Sequence, residues 1–167
     1  MEKPIFLIGF MSVGKTTVGK KLAKKLNVPF YDTDEEIEKQ TDKSVRQLFS
    51  EHGETHFRNL EKKWLEQFTN TSAVVATGGG LPCFFDNMDQ LNRKGVTVYL
   101  HRPAKEIFQR LNNAKKKRPL VEELNENELL AYIETTLGKR NMFYEKAQIT
   151  VGRNEQTPED IIRYVLK

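Results

Sequence analysis

With one cysteine among 167 residues, Cys83, the chain has no internal disulfide and no multi-cysteine metal site. Three isolated histidines, His52, His56 and His101, argue against a zinc centre as well. No apolar run approaches the roughly 20 residues that a membrane helix needs. An early candidate, Ile5 to Met11, contains a glycine and runs into a polar loop. The opening Met-Glu-Lys-Pro is no signal peptide. A reducing cytoplasm is therefore the expected location, with no membrane partner.

Charge of one sign is also scarce. Lys and Arg number 27 against 23 Asp and Glu, a net +4. That suits an enzyme with anionic ligands and is weak for nucleic-acid binding, which needs a concentrated basic face. Lys20-Lys21 and Lys24-Lys25 recur at helical spacing and read as a solvated helix face. With 38% hydrophobic and 30% charged residues, the chain is neither disordered nor membrane-embedded. No linker, repeat or composition shift divides it, so residues 1–167 read as one domain, expected to be a monomer.

What is present is an alternation. Pro4 to Gly9 is an unbroken apolar run, as in a strand buried on both faces of a parallel sheet. Residues 15–26 carry Val18, Leu22, Ala23 and Leu26 at helical spacing. Val28 to Tyr31, Ala73 to Ala76, Val96 to Leu100 and Ile149 to Val151 complete five strands. Between them lie a capping box at Thr33 to Glu36, a helix start at Ser44 to Gln47 and a helix over about 54–68. Further helices are expected at 84–94, from Pro103 to about 112, at 125–145 and after Thr157. Residues 113–124 read as a mobile loop. The pattern implies a three-layer α/β sandwich with a five-stranded parallel sheet flanked by helices.

Gly9-Phe-Met-Ser-Val-Gly-Lys15-Thr16 matches G-x-x-x-x-G-K-[ST] between a strand and a helix. The helix N-terminus leaves N–H groups aimed at anions, and Gly9 and Gly14 let the backbone curl around them. Ser12, Val13, Gly14, Lys15, Thr16 and Thr17 are therefore the nucleotide-phosphate candidates, with Lys15 on the β- and γ-phosphates and Thr16 on Mg²⁺.

Four further features sit at strand ends, where parallel sheets bind ligands. Asp32-Thr33-Asp34 places two carboxylates at i and i+2, which in extended chain face the same way. Arg58 and Glu61 share a helix face, so the Glu can hold the guanidinium for an anionic group. Gly78-Gly79-Gly80 offers bare backbone to a small ligand. The basic set is Arg110, Lys115 to Arg118, and Arg140.

Together with Phe57, Arg118-Pro119-Leu120 and Arg140…Tyr144…Ala147, these residues resemble the shikimate kinases, members of the nucleoside-monophosphate-kinase-like P-loop group. The resemblance spans nearly the whole chain. It implies transfer of a phosphoryl group from ATP, with one Mg²⁺, to the 3-hydroxyl of shikimate in aromatic amino-acid (chorismate) biosynthesis. Lys15, Asp34 and Arg118 would be catalytic, and Thr16 and Asp32 would serve the metal. Arg110, Arg118 and Arg153 would join residues 12–17 on the nucleotide. Asp34, Arg58, Gly78, Gly79, Gly80 and Arg140 would bind shikimate, walled by Phe49 and Phe57. The acceptor-binding subregion would be about 32–61 and a mobile lid about 112–124.

The chain departs from that family in four places. Ser12 stands where glycine is common, Thr16 where serine is, and Arg140 to Tyr144 lacks a proline. Gly152-Arg153 replaces a more acidic stretch. Gluconate kinases share the phosphate loop and the size. A nucleic-acid-dependent ATPase would need basic and aromatic interleaving that is not seen. A catalytically dead relative would not keep Lys15, Asp34 and Arg58.

Overall fold

The computed structural model describes residues 2–114 and 121–166. Lys115 to Leu120, and with them the Arg118 assignment, lie outside the described residues. The described residues form five strands: β1 (Ile5–Ile8), β2 (Phe30–Asp32), β3 (Val74–Ala76), β4 (Val96–Leu100) and β5 (Ile149–Val151). They form one sheet in the order β2-β3-β1-β4-β5. Every pairing is parallel, with Ile5 opposite Val74 on one side and Val96 on the other. All four β1 residues are buried, as a central strand covered on both faces requires.

Among the described residues seven α-helices connect and cover the strands: α1 (Lys15–Leu26), α2 (Thr33–Thr41), α3 (Val45–Gln67), α4 (Asn87–Lys94), α5 (Ala104–Asn112), α6 (Glu126–Tyr144) and α7 (Pro158–Val165). The β1-to-β2 connection runs opposite in direction to the later ones. Right-handed crossovers therefore put α1 on one face of the sheet and the later connections on the other. α7 packs beside α1, and α5 against α6. The three-layer sandwich read from the alternation is thus present. Among the described residues, no helix is long and apolar enough to cross a membrane.

The helix starts are chemical. Ser44 with Gln47 and Asn125 with Glu128 form reciprocal capping boxes. Thr157 caps α7 through the Asp160 N–H. Three sequence expectations need correction. The α2 cap is Asp32 rather than Thr33, with Asp32 Oδ1 accepting from Asp34 N–H at 3.1 Å. Asp34 therefore stands in a helical first turn, not in extended chain. Pro103 is the N-cap of α5 rather than within its first turn. The helix expected over 84–94 begins only at Asn87, after a 3-10 turn at Leu81–Cys83, with Phe85 at φ 54° in between.

α3 spans the helix start at 44–47 and the helix at 54–68, interrupted at Gly53 (φ 79°, ψ 175°). Nothing lies within 4 Å of where a Cβ would stand there, so glycine is required for its φ and not for space.

Candidate active site

The phosphate loop follows β1, the middle strand. Unlike α2, α3, α6 and α7, helix α1 has no side-chain cap, and unlike α2, α6 and α7 it holds no acidic residue in its first turn. Its N-cap is Gly14 at φ 108°. The first N–H groups are thus left for an anion, which the helix dipole also favours. Val13 is buried, Ser12 half-buried and Thr17 exposed in the first turn. Ser12 sits at φ 62°, a left-handed conformation that costs a non-glycine residue roughly 1 kcal/mol. Lys15 is only 8% exposed, and its ammonium donates to Gly9 O at 2.7 Å and Phe10 O at 2.6 Å.

The Thr16 hydroxyl donates to Asp32 Oδ2 at 2.7 Å. Asp32 thus serves two partners, one carboxylate oxygen on Thr16 and the other capping α2. Thr33, buried between the two aspartates, accepts from Gly78 N–H at 2.8 Å. That bond ties the start of α2 to the glycine run after β3.

The three glycines are shaped to the side chains around them. A Cβ on Gly78 would stand 2.7 Å from Asp34 Oδ1 and 2.9 Å from Glu61 Oε1. One on Gly80 would overlap the Arg58 guanidinium. One on Gly79 would lie 3.3 Å from Met11 N and 3.5 Å from Arg140 Nη1. Residues 78–80 therefore bring together Asp34, Glu61, Arg58, Arg140 and the phosphate loop. The sequence expectation of one crevice at the strand ends is met for these groups. Asp32 and Asp34 do not act as a parallel pair, however. One faces Thr16 and the other faces Gly78, because α2 begins between them.

Arg58 is 4% exposed and Glu61 fully buried. Arg58 Nη1 donates to Glu61 at 2.8 Å, and Nε and Nη2 donate to Glu54 at 3.2 and 3.0 Å. The guanidinium also lies 4.4 Å from the Phe84 ring centroid and within 6 Å of Phe49 and Phe57. Phe49 and Phe57 stand 4.9 Å apart, though eight residues along a straight helix would separate them by about 12 Å. The Gly53 break folds the two turns together and makes this wall. Arg140, on α6, stands over Phe10. The Tyr144 hydroxyl, one turn on, donates to Gly79 O at 2.6 Å and fixes the glycine run from behind.

Burial pushes the Glu61 carboxyl up to about 7, against the pull of Arg58. Glu61 Oε1 is buried and makes no hydrogen bond to the described residues. The folded chain then holds this proton more tightly than the unfolded chain does. Stability therefore falls as pH rises from the ordinary 4.5 through about 7. Glu61→Gln removes that titration and mimics the neutral acid. The lead in Tm of the unaltered chain over this variant is expected to shrink between about pH 5 and about pH 8. Differential scanning fluorimetry across that range reads it, and a widening lead would mean that the ion pair outweighs desolvation.

On the other side of the loop, Arg110 Nε donates to Ser12 O at 2.6 Å. Arg153 lies in a surface 3-10 turn after β5 and reaches Glu106 on α5 at 3.1 Å. It does not touch the phosphate loop directly. Arg102, which was not singled out in the sequence, donates to Val13 O at 3.1 Å. Its partner is 89 positions away, and no short-range pattern marks it. Cys83 is half-buried beside Gly79, and burial pushes its thiol up to about 11.

A family model described as shikimate kinase matches residues 11–167. A shikimate kinase of Bacteroides fragilis is 49% identical over 144 residues, 86% of this chain and 80% of that one. The solved shikimate kinase of Bacteroides thetaiotaomicron superposes with a TM-score of 0.89 at 42% identity, covering 97% of this chain and 96% of that one. A shikimate kinase of Acinetobacter baumannii, solved in complex with shikimate, gives 0.84 at 35% identity, covering 98% and 90%.

Proposed function

Because the chain belongs to the shikimate kinase family, enzymes that phosphorylate shikimate with ATP, we propose how its own residues divide that reaction. The observation that carries the reading is the Arg58 arrangement. A buried guanidinium, clamped by two carboxylates and roofed by Gly80, stands across Gly79 from Arg140 and next to the phosphate loop. Two arginines flanking bare backbone suit a small acceptor with a carboxylate on one side and hydroxyls on the other.

In this reading Arg58 and Arg140 take the shikimate carboxylate, and Gly78 to Gly80 lie against the ring with Phe49 and Phe57 as the wall. Asp34 receives the 3-hydroxyl that becomes shikimate 3-phosphate. Residues 12–17 hold the phosphates of ATP. Lys15 exchanges the Gly9 and Phe10 carbonyls for phosphate oxygens, which keeps its ammonium satisfied in both states. Arg110 keeps its edge on Ser12 O and offers its exposed face to the adenine, with Arg153 further out. Arg118, outside the described residues, is assigned by resemblance to the transferring phosphoryl. Residues 32–61 form the acceptor subregion, 112–124 the lid, and the 167 residues one domain.

The Thr16 hydroxyl and Asp32 carboxylate, 2.7 Å apart, are hard oxygen donors beside the phosphate loop and fit a magnesium ion, as ATP chemistry requires. Held by Thr16 and Asp32, a magnesium ion would supply positive charge against the phosphates of ATP. The transition state is loose, so the work of the chain is positioning and charge neutralisation. Asp34 orients the hydroxyl and takes its proton late.

The test is ADP release with Mg·ATP, comparing shikimate, gluconate, quinate and no acceptor. Saturable turnover with shikimate alone is expected. ADP release independent of every acceptor would retain the phosphate loop and overturn the acceptor assignment.

A further inference from the structure

We infer that Arg102 is a positioning residue for the phosphate loop, holding the Val13 carbonyl outward so that the Gly14 N–H is aimed inward at phosphate. The inference rests on the reading of residues 9–16 as the ATP loop. In a trans peptide the C=O and the following N–H point in opposite directions within one rigid plane. Fixing a carbonyl on the outside of the loop therefore fixes the next N–H on the inside. Two successive planes of this loop are held in that way. Arg110 Nε holds Ser12 O at 2.6 Å, which sets the Val13 N–H. Arg102 Nε holds Val13 O at 3.1 Å, which sets the Gly14 N–H.

The loop needs such restraint at this point. Ser12 is held at φ 62°, where a side chain opposes the backbone, and Gly14 at φ 108° is free to turn elsewhere. Arg102 is itself held. Its Nη1 donates to Glu106 Oε2 at 3.1 Å, with the two side chains 14% and 24% exposed. Glu106 Oε1 accepts from Arg153 at 3.1 Å. The result is a strut, Val13–Arg102–Glu106–Arg153, from the phosphate loop across the start of α5 to the turn after β5. Arg102 touches no substrate in this account. It acts through the backbone it restrains.

The experiment compares Arg102→Ala and Glu106→Gln with the unaltered chain, by steady-state kinetics and by calorimetric titration with ADP and with inorganic tripolyphosphate. Arg102→Ala is expected to raise the KM for ATP and the Kd for ADP about tenfold, with the KM for shikimate unchanged within about twofold. The Kd for tripolyphosphate should rise by the same factor as that for ADP, because the lost element is a phosphate contact. Glu106→Gln should shift the same constants in the same direction by a smaller factor.

Unchanged affinity for tripolyphosphate in Arg102→Ala would overturn the inference, since any loss would then come from the adenine side. Equal loss for shikimate and ATP would overturn it as well. A folding defect lowers the active fraction, and so kcat, without moving one KM selectively. Failure of the unaltered chain to bind either ADP or tripolyphosphate would instead remove the reading of the loop itself.

Discussion

Asp34→Asn is expected to lower kcat by at least about a hundredfold while leaving the affinity for ADP within about twofold. A hundredfold corresponds to about 2.7 kcal/mol of transition-state stabilisation. The substitution is mild on the fold, because the bond from Asp34 N–H to Asp32 Oδ1 is made by the backbone and survives. Asparagine keeps the volume that lies against Gly78. What it loses is the ability to accept the proton of the acceptor hydroxyl. The phosphate loop and the Thr16–Asp32 pair are separate from that event, so nucleotide binding persists. Turnover within about threefold of the unaltered chain, measured with both substrates saturating, would remove Asp34 from the reaction.

Arg58→Ala is expected to raise the KM for shikimate about a hundredfold or more, with the KM for ATP nearly unmoved. Removing one partner of a desolvated, hydrogen-bonded charge pair costs about 2–5 kcal/mol of binding. The chain is expected to survive the change. Glu61 loses its cation, but burial already pushes its carboxyl up to about 7, so it is ready to take a proton and become neutral. Glu54 is exposed and loses only a surface ion pair. Arg58→Lys is not expected to restore binding. One ammonium cannot hold Glu54 and Glu61 and still face a carboxylate as the planar fork does. Initial-rate kinetics with each substrate varied in turn decides the point, and a shift confined to ATP would refute the clamp.

The parts of the molecule legible in the sequence are those written in neighbouring residues. The apolar run at Ile5–Ile8, the loop into Lys15 and the capping boxes at Ser44 and Asn125 are each read within a few positions. The pairing of Arg58 with Glu61 is read from helical spacing. What failed to show was competition between equally suitable residues. Thr33 and Asp32 are both good caps, and only the tertiary structure decides. It seats Thr33 in the interior beneath Gly78 and leaves Asp32 to cap the helix. The break at Gly53 falls between the helix start at 44–47 and the helix over about 54–68, but the angle it sets is carried by backbone dihedrals that no residue pattern displays. The Arg102 contact is hidden because its partner is a backbone carbonyl, which carries no residue signature.

The strand order has an evolutionary consequence. β1, which delivers the phosphate loop, lies in the middle of the sheet, with β2 and β3 to one side and β4 and β5 to the other. In the proposed reading, the groups for the acceptor hang from the first side and those for the adenine from the second, with Arg140 reaching across from α6. Each half can drift with little disturbance of the other. In the proposed reading, substitutions among the acceptor groups of residues 32–61 would then change what is phosphorylated while leaving the loop that handles ATP in place. A fold partitioned in this way is a donor platform with an exchangeable acceptor module.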